Sequence, residues 1–301
     1  MDLIFLGTPA FAVPTLERII EAGYQVITVV TQPDRPKGRS HELSISPVKR
    51  VALERGLPIY QPERIRRPEA LARLSELKPE VMVVVGYGQI IPQAVIDIAP
   101  KGIINVHASL LPKLRGAAPV QWAIANGEQV TGVTTMRIDA GLDTGDILLK
   151  AETGISPAET AIDLGDRLSR MGADLLVKTL QDLDSIAPEK QDNSRATLAP
   201  ILKKQDGLID WSRPAAVIHN RVRGFQPWPG AYTDFRGHLL HIWRSRVIEG
   251  GADFQRGRIH LASRGGVEVI CGDGNTLEIL EVQMEGRKRM SAQAFANGQR
   301  L

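Results

Sequence analysis

Short apolar runs alternate with segments of helical periodicity through the first half of the chain. Runs rich in β-branched residues indicate strands, and apolar residues spaced three or four apart indicate helices. The strands predicted in this way are Leu3–Gly7, Gln25–Thr31, Pro58–Tyr60, Val81–Gly86, Gly102–His107 and a less buried Val130–Ile138. The predicted helices are Pro9–Ala22, Pro47–Arg55, Pro68–Leu77, Ala117–Asn126 and Glu159–Leu183, the last with an apolar face formed by Ile162, Leu168, Leu175, Leu176 and Leu180. This alternation predicts an α/β domain in which helices cover a parallel sheet.

The pattern changes in the last third of the chain. Between Ser185 and Gln205 the sequence is polar and loses its periodicity, which is typical of a linker. Beyond it, glycines separate short alternating runs such as His238–Trp243 and Leu277–Val282, which favour a small antiparallel barrel or sandwich. We therefore predict a first domain over residues 1–188, a linker over 189–206 and a second domain over 207–301.

Composition narrows the class of protein. The chain has 301 residues, 43% hydrophobic and 24% charged, which is the balance of a globular protein. Its longest purely apolar run, Val81–Val85, falls far short of the roughly 20 residues of a membrane-spanning helix. No basic segment precedes the first apolar stretch, and one cysteine, Cys271, can form neither an intramolecular disulfide nor a thiolate-rich metal site. We expect a cytoplasmic protein in which Cys271 is a small buried side chain.

The positive charge is concentrated in the last third. Residues 208–301 contain 13 lysines and arginines against 9 acidic residues, a net charge of +4, and 12 of the 13 cations are arginines. The guanidinium fork suits phosphate, so this composition is compatible with a nucleic-acid partner. A soluble surface that happens to be rich in arginine is an equally good explanation.

The first turn of the α/β domain argues against a dinucleotide cofactor. The turn Gly7–Ala12 lacks the second and third glycines that let a pyrophosphate approach a helix N-terminus. The chain also has no phosphate-binding loop of the Walker type.

The predicted strand Gly102–His107 carries the first candidate chemistry. Asn105 and His107 are two residues apart, so they point to the same face, and they lie at the carboxyl end of the strand, where open α/β sheets bind ligands. An amide and an imidazole there supply two donors to one small volume, as an oxyanion requires. The alternative is a pair of ordinary polar residues at a strand end.

A second candidate lies in the glycine-rich segment Asp139–Asp146. Gly141 and Gly145 bracket Asp143, which predicts a tight loop that holds a carboxylate near the sheet edge. Such a carboxylate would favour a charged imidazole and could orient an amine or water that loses a proton. The alternative is an Asx-turn within the loop.

These motifs resemble those of the formyltransferases that use 10-formyltetrahydrofolate. The resemblance is carried by Asn105–His107, Ser109–Pro112 and Gly141–Asp146. Further matching segments resemble the branch of this family that acts on methionyl-initiator tRNA: Phe5–Pro9, Thr31–Pro36 with Gly38 and Arg39, Arg115–Pro119 and Gln226–Ala231. One segment departs from the pattern, because Ser40–Glu42 stands where adjacent lysines are common.

The resemblance implies a Rossmann-like, parallel-sheet formyltransferase domain followed by a small OB-like β-barrel that binds tRNA. It implies that the catalytic residues are Asn105, His107 and Asp143, and that the folate-binding residues are Ser109, Leu110, Leu111 and Pro112. It also implies 10-formyltetrahydrofolate as formyl donor and co-substrate, methionyl-initiator tRNA as partner, no metal and no membrane association. We expect the enzyme to act as a monomer.

Two basic regions are candidates for binding tRNA. The Pro/Gly-broken loop Asp34–Ser46 would present Arg35, Lys37 and Arg39 to the acceptor arm, with Arg39 as the main contact implied by the resemblance. In the second domain arginines recur in pairs two apart, near Trp228, Tyr232 and Trp243, which on strands would form a basic stripe for the RNA backbone. The paired arginines are 221 and 223, 244 and 246, 256 and 258, and 287 and 289. The alternative is an exposed arginine-rich face over an aromatic core.

Three other functions remain compatible with the sequence. A formyltransferase that acts on a small amine, such as an amino sugar nucleotide or a purine precursor, would keep the same three polar residues. An RNA-binding protein without catalysis would keep the basic regions. Hydrolysis of the formyl donor would differ only in using water as the nucleophile.

Overall fold

The computed structural model describes residues 1–37, 42–250, 255–261 and 266–299. Its contacts divide the chain into two compact units, each built from several segments. The first unit comprises Met1–Gly116, Thr131–Thr153 and Gly165–Leu198, and the second comprises Ala117–Val130, Gly154–Leu164 and the chain from Ala199. None of the helices in the described ranges is long and apolar enough to span a membrane.

A seven-stranded sheet forms the centre of the first unit. Across the sheet its strands, numbered in chain order, are β5 (Ile59–Tyr60), β2 (Gln25–Val30), β1 (Asp2–Gly7), β6 (Val81–Val85), β7 (Ile103–His107), β8 (Val130–Arg137) and β9 (Ile147–Gly154). Strands β2, β1, β6 and β7 pair in parallel, which confirms the predicted parallel sheet, whereas β8 pairs with β7 antiparallel. The prediction that β8 is less buried is wrong, because six of its eight residues are buried between β7 and β9.

Helices lie on both faces of this sheet. The α-helices of the whole chain are α1 (Val13–Glu21), α2 (Pro47–Glu54), α3 (Pro68–Glu76), α4 (Gln93–Ile96), α5 (Pro119–Ala125), α6 (Ala161–Gln181), α7 (Ala215–Gly224) and α8 (Ala292–Gln299). Helices α1, α2 and α6 share one core cluster with Phe5 and Val83, and α3 and α4 share another with Ile4 and Met82. Alternate residues of the central strands therefore fill opposite layers of core.

Local signals account for the positions of the helices. Helix α2 begins with Pro47, after Ser46, whose hydroxyl accepts a hydrogen bond from the backbone NH of Lys49 at 3.0 Å. In α6 the predicted apolar face is wrong for Ile162, which is 50% exposed. It is confirmed for the buried residues Leu168, Leu175, Leu176 and Leu180.

The second unit is built on an antiparallel sheet. Its strands are β10 (Ala231–Phe235), β11 (His238–Ile248), β14 (Thr276–Met284), β13 (Val267–Ile270) and β12 (Ile259–Leu261), with β15 (Met290–Ser291) paired to β14. The long strand β11 changes register twice around Arg244, and such bulges bend a strand. The sheet curls into half a barrel consistent with an OB-like domain, which confirms the expected fold class. Cys271 is fully buried in its core, as predicted.

The shorter elements lie outside these sheets. Strands β3 (Arg35–Lys37) and β4 (Glu42–Ser44) form a separate antiparallel pair. Turns of 3₁₀-helix occur at Ala10–Ala12, Asn193–Arg195 and Lys204–Gly207. The polar segment that begins at Ser185 stays hydrogen-bonded to the first unit as far as residue 198, through pairings of Glu189 with Ile147 and of Leu198 with Arg115.

Candidate active site

The carboxyl end of β7 presents two polar side chains on one face of the sheet. Ile104 and Val106 belong to the core cluster that contains α6, so Asn105 and His107 project to the other side. Both residues are buried, with 9% of Asn105 and 6% of His107 exposed. The alternation expected from their spacing is therefore present in the structure.

Two oxygens lie beside the imidazole of His107. Its Nε2 lies 3.0 Å from the carbonyl oxygen of Leu114, and its Nδ1 lies 3.6 Å from Oδ2 of Asp143. A carbonyl oxygen can only accept, so Nε2 is the donor and carries a hydrogen. The other nitrogen, Nδ1, is therefore the atom that can take up or release a proton, and it faces the carboxylate.

The loop that carries Asp143 is held in a tight conformation. Asp143 has a positive φ of 52°, and its Oδ2 accepts a hydrogen bond from the backbone NH of Gly116 at 2.8 Å. A Cβ at Gly145 would lie 1.9 Å from the carbonyl oxygen of Arg137, and a Cβ at Gly141 would lie 1.9 Å from the hydroxyl of Thr144. Both glycines are required because backbone or side chain fills the space of a Cβ.

The turn at residues 114–116 contacts both His107 and Asp143. The carbonyl of Leu114 receives the hydrogen bond from His107, and the NH of Gly116 donates to Asp143. Leu114 itself has a positive φ of 59°. Reasoning from residue chemistry alone did not assign a role to this turn, because its contribution is made by backbone atoms.

The amide of Asn105 makes no hydrogen bond among the described residues, and its polar atoms are not among the fully buried atoms that lack a partner. The amide therefore stays accessible at the strand end, where it can bond to water or to a bound ligand. A primary amide donor and an imidazole–carboxylate pair at one strand end are suited to acyl transfer, in which an oxyanion forms and a proton moves.

The predicted folate-binding segment lies directly after β7. Ser109 and Leu111 are fully packed within the protein: the Ser109 hydroxyl donates to the carbonyl of Lys113 at 2.6 Å, and Leu111 packs with Met136 and Ile147. Leu110 and Pro112 are only partly buried. Folate contact by all four residues stays a prediction, and Leu110 and Pro112 have the side chains available for it.

The predicted tRNA-binding loop is described only in part. Arg35 lies on β3, and its guanidinium forms an exposed ion pair with Glu63 at 2.7 Å. The neighbouring Asp34 is ion-paired with Lys49, whose hydrogen bond, together with one from Gln61, lowers the pKa of this carboxyl. The backbone of Lys37 lies on the same strand. Arg39 lies outside the described residues.

The arginine pairs of the second unit are not all equivalent. Arg221 and Arg223 lie on helix α7, where a spacing of two does not share a face, and Arg223 is buried against Asn220 and the carbonyls of Ser156 and Glu159. Its assignment to a basic stripe is wrong. The remaining paired arginines, Arg244, Arg246, Arg256, Arg258, Arg287 and Arg289, are exposed, although Arg246 is paired with Glu278. Only Arg244 and Arg246 lie on a strand, so the prediction that the pairs share a strand face is wrong for the other two pairs.

An aromatic cavity of about 440 Å³ lies on the second unit. Trp228, Tyr232 and Trp243 line it together with His241 and Lys204. The imidazole of His241 stacks on Trp243 at a centroid distance of 5.5 Å, and the guanidinium of Arg289 lies 3.6 Å from the Trp243 ring. This combination of aromatic faces and cations is typical of surfaces that contact RNA.

Metal ligands are not grouped in the described part of the chain. No cluster of three or more histidine, cysteine, aspartate or glutamate side chains there could hold an ion. The pair of His107 and Asp143 offers two such ligands and no third.

Comparisons with known proteins first define the class. The family model for formyl transferases matches residues 1–180, and the model for the formyl transferase C-terminal domain matches residues 201–300. Among solved structures, an N-formyltransferase from Helicobacter canadensis, in complex with folinic acid and dTDP-3-aminofucose, matches with a TM-score of 0.71 and 20% identity, covering 92% of this chain and 98% of that one. At this identity the likeness concerns the fold.

Curated relatives are closer. The methionyl-tRNA formyltransferase of Solibacter usitatus (strain Ellin6076) is 63% identical over all of this chain and 96% of its own length. The methionyl-tRNA formyltransferase of Koribacter versatilis (strain Ellin345) is 55% identical with the same coverage. The chain thus belongs to the formyl transferase family and, within it, to the methionyl-tRNA formyltransferases.

Proposed function

We propose that this enzyme transfers the formyl group of 10-formyltetrahydrofolate to the α-amino group of methionyl-initiator tRNA for translation initiation. One observation of the structure supports this function above all: the accessible amide of Asn105, which has no partner among the described residues, lies on the same strand end as His107, whose Nδ1 faces Asp143 at 3.6 Å. Membership in the methionyl-tRNA formyltransferases supports the choice of substrates.

The reaction begins when the neutral α-amine attacks the formyl carbon. A free α-amino group titrates near ~7.7–8.0, so losing its first proton costs little at neutral pH. As the new C–N bond forms, negative charge develops on the formyl oxygen, and the Asn105 amide donates to it. His107 adds a second donor when its ring is protonated, through Nδ1–H, because Nε2 is already bonded to the Leu114 carbonyl.

Asp143 accepts the proton that the attacking amine loses. Its carboxylate accepts that proton directly or through water, while the hydrogen bond from Gly116 keeps its Oδ2 in place. Collapse of the tetrahedral intermediate breaks the bond between the formyl carbon and N10 of the folate. N10 takes a proton from His107 or water, and tetrahydrofolate leaves. The proton gained by N10 balances the proton that the amine loses.

The remaining assignments belong to the same proposal. Residues 1–188 would carry the reaction, with Leu110 and Pro112 against the folate, and residues 207–301 would bind tRNA beyond the linker 189–206. Arg35, Lys37 and Arg39 would contact the acceptor arm, and the aromatic cavity, Arg289 beside it and the other exposed arginines of the second unit would contact the rest of the RNA. We expect a cytoplasmic monomer that needs no metal, because the formyl group is already activated on N10.

The deciding experiment is a formylation assay with 10-formyltetrahydrofolate and four acceptors. Methionylated initiator tRNA should be formylated rapidly, methionylated elongator tRNA slowly, and free methionine or an amino sugar nucleotide hardly at all. Equal rates on the amino sugar would favour the small-amine function, and tetrahydrofolate release without any acceptor would indicate hydrolysis. Binding of tRNA without formylation would contradict the enzyme function.

A further inference from the structure

The polar segment from Glu189 to Thr197 contacts both of the structures that hold the catalytic side chains. Glu189 exchanges backbone hydrogen bonds of 2.8 and 2.9 Å with Ile147, just after the Asp143 loop. Thr197 accepts from the backbone NH of Leu114 through its hydroxyl and from that of Arg115 through its carbonyl, both at 2.9 Å. The segment therefore connects the Asp143 loop to the turn at residues 114–116.

Gln191 forms the central connection. Its Nε2 donates to the carbonyl of Asp143 at 2.9 Å and to that of Gly145 at 2.7 Å. Its Oε1 accepts from Arg115, at 3.0 Å from Nε and 2.7 Å from Nη2. Both donor hydrogens and both acceptor positions of one side chain are thus used.

Arg115 determines which way this amide points. The residue is 7% exposed, and its guanidinium is bonded to two neutral amides, those of Gln191 and Asn193, and to no carboxylate in the described ranges. A guanidinium has only donors, so it selects Oε1 of Gln191 and directs Nε2 toward the loop carbonyls. The buried charge thereby favours a single orientation of the amide.

We propose that Gln191 is a positioning residue that holds the Asp143 loop in register with His107. The inference rests on the proposed function, because it concerns the geometry of that reaction. Asp143 has an unfavourable positive φ, and the adjacent tip of its loop is exposed at Gly141 and Leu142, so the loop backbone needs an outside contact in addition to the hydrogen bond from Gly116 to the Asp143 side chain. Gln191 supplies it from a part of the chain about 50 residues away.

The test is Gln191→Glu. A carboxylate keeps the interaction with Arg115 but cannot donate to the carbonyls of Asp143 and Gly145. We expect kcat to fall about 10- to 100-fold, as displacement of a catalytic group by about an ångström does. The KM values for tRNA and for the formyl donor should change less than about threefold, and thermal unfolding should stay close to that of the unmodified enzyme.

The matched control is Asn193→Ala. Asn193 contacts the same guanidinium, from its Oδ1 to Nη2 at 2.9 Å, but neither carbonyl of the loop. Its loss should leave kcat within about threefold. Amide hydrogen exchange gives a second readout: Gln191→Glu should speed exchange across residues 139–146 and at Gly116, and Asn193→Ala should not.

Three results would overturn the inference: unchanged kcat and exchange in Gln191→Glu, equal losses in both variants, or a loss confined to KM. If Gln191→Glu proves too unstable to assay, Gln191→Met, which lacks both polar atoms at similar volume, must show the same kcat loss and faster loop exchange, or the inference is wrong. Failure of the proposed function would look different, because the unmodified enzyme would then formylate no methionyl-tRNA.

Discussion

One hydrogen bond decides which nitrogen of the candidate catalytic residue His107 is available. Because the Leu114 carbonyl occupies Nε2, all proton chemistry is confined to Nδ1, the nitrogen that faces Asp143. Asn105, by contrast, has an amide donor with no partner in the described part of the chain. The two side chains are thus complementary. Asn105 is available to bind negative charge, and His107 can bind it and also exchange a proton.

Removal of the Asn105 donor should affect turnover rather than affinity. Asn105→Ala deletes one hydrogen bond to the developing oxyanion, and we expect kcat to fall about 10²- to 10³-fold with KM for both substrates nearly unchanged. Steady-state formylation kinetics measure both. Asn126→Ala, at the exposed end of α5, is the control, and a large rise in KM without a loss of kcat would contradict the oxyanion role.

Asp143→Asn tests proton acceptance separately. The amide oxygen can still accept the hydrogen bond from Gly116, but the side chain no longer takes up a proton. We expect a large loss of kcat at pH 7 that becomes smaller toward pH 9, because hydroxide can then take the proton that the attacking amine loses as the C–N bond forms. A deficit that does not change with pH would show that Asp143 serves orientation alone.

The thiol of Cys271 should be inert in the folded protein. Burial, and secondarily the nearby carboxylate of Asp273, raises its pKa to about 11, and the side chain has no exposed surface. A thiol reagent at pH 8 should therefore label Cys271 only after unfolding in denaturant. Rapid stoichiometric labelling of the native enzyme would contradict this burial.

At the scale of elements, the candidate active site combines the end of one strand with a loop from another part of the sheet. Strand β7 supplies two side chains, and the third comes from the glycine-rich loop between β8 and β9. The loop can approach the Arg137 carbonyl only because Gly145 has no Cβ.

Gly145→Ala should therefore lower activity strongly. The added methyl group would lie 1.9 Å from the backbone oxygen of Arg137, so the loop must move and take Asp143 away from His107. We expect a loss of more than about tenfold in kcat together with reduced thermal stability. Gly298→Ala is the matched control, because its Cβ would meet nothing within 4 Å, and Ala in a helix is favoured by roughly 0.5–1 kcal/mol. Equal behaviour of the two variants would argue against the close approach.

Most elements of the first unit were predictable from periodicity, and the exceptions have physical reasons. Strand β9 was missed because its outer half alternates polar, exposed residues at the sheet edge. Ile162 was wrongly placed in the core because periodicity does not show at which residue a helix begins to pack against the rest of the protein. Arg223 was assigned to a strand-like stripe, although its segment forms helix α7.

At the scale of the whole molecule, charge is distributed unevenly along the chain. The last third has a net charge of +4, and one of its exposed arginines, Arg289, lies against Trp243 of the aromatic cavity. If this surface binds RNA phosphates, the affinity for tRNA should fall steeply between 50 and 200 mM salt, about as a power of salt concentration set by the number of phosphates contacted. Arg289→Ala should weaken binding and reduce this slope, while a flat salt response would contradict the RNA assignment.

Stability should depend on pH through two histidines of the second unit. Burial lowers the pKa of His219, and burial, with Arg289 and Lys204 nearby, lowers that of His241. Both are neutral in the folded state at a pH where the unfolded chain begins to bind protons, near ~6.5, so stability should decrease as the pH falls below that value.

Urea unfolding at pH 7.5 and pH 5.0 measures this effect. His219→Gln can keep a hydrogen bond to Ser245 and should reduce the loss at low pH, whereas His238→Gln, at an exposed position, should not. An unchanged pH dependence in His219→Gln would show that other groups dominate.

The sequence by itself determined the class of fold, the family and the three candidate catalytic side chains. These depend on local information: strand alternation places Asn105 and His107 on one face, and the glycines on either side of Asp143 predict a tight loop. The tertiary structure alone decided which nitrogen of His107 faces the carboxylate. It also showed that a polar segment with the composition of a linker is hydrogen-bonded to the loop that carries Asp143. Gln191 meets Arg115 and Asp143 over separations of 76 and 48 residues. Such contacts leave no periodic pattern in a single sequence, because a single glutamine makes them and the residues on either side of it take no part.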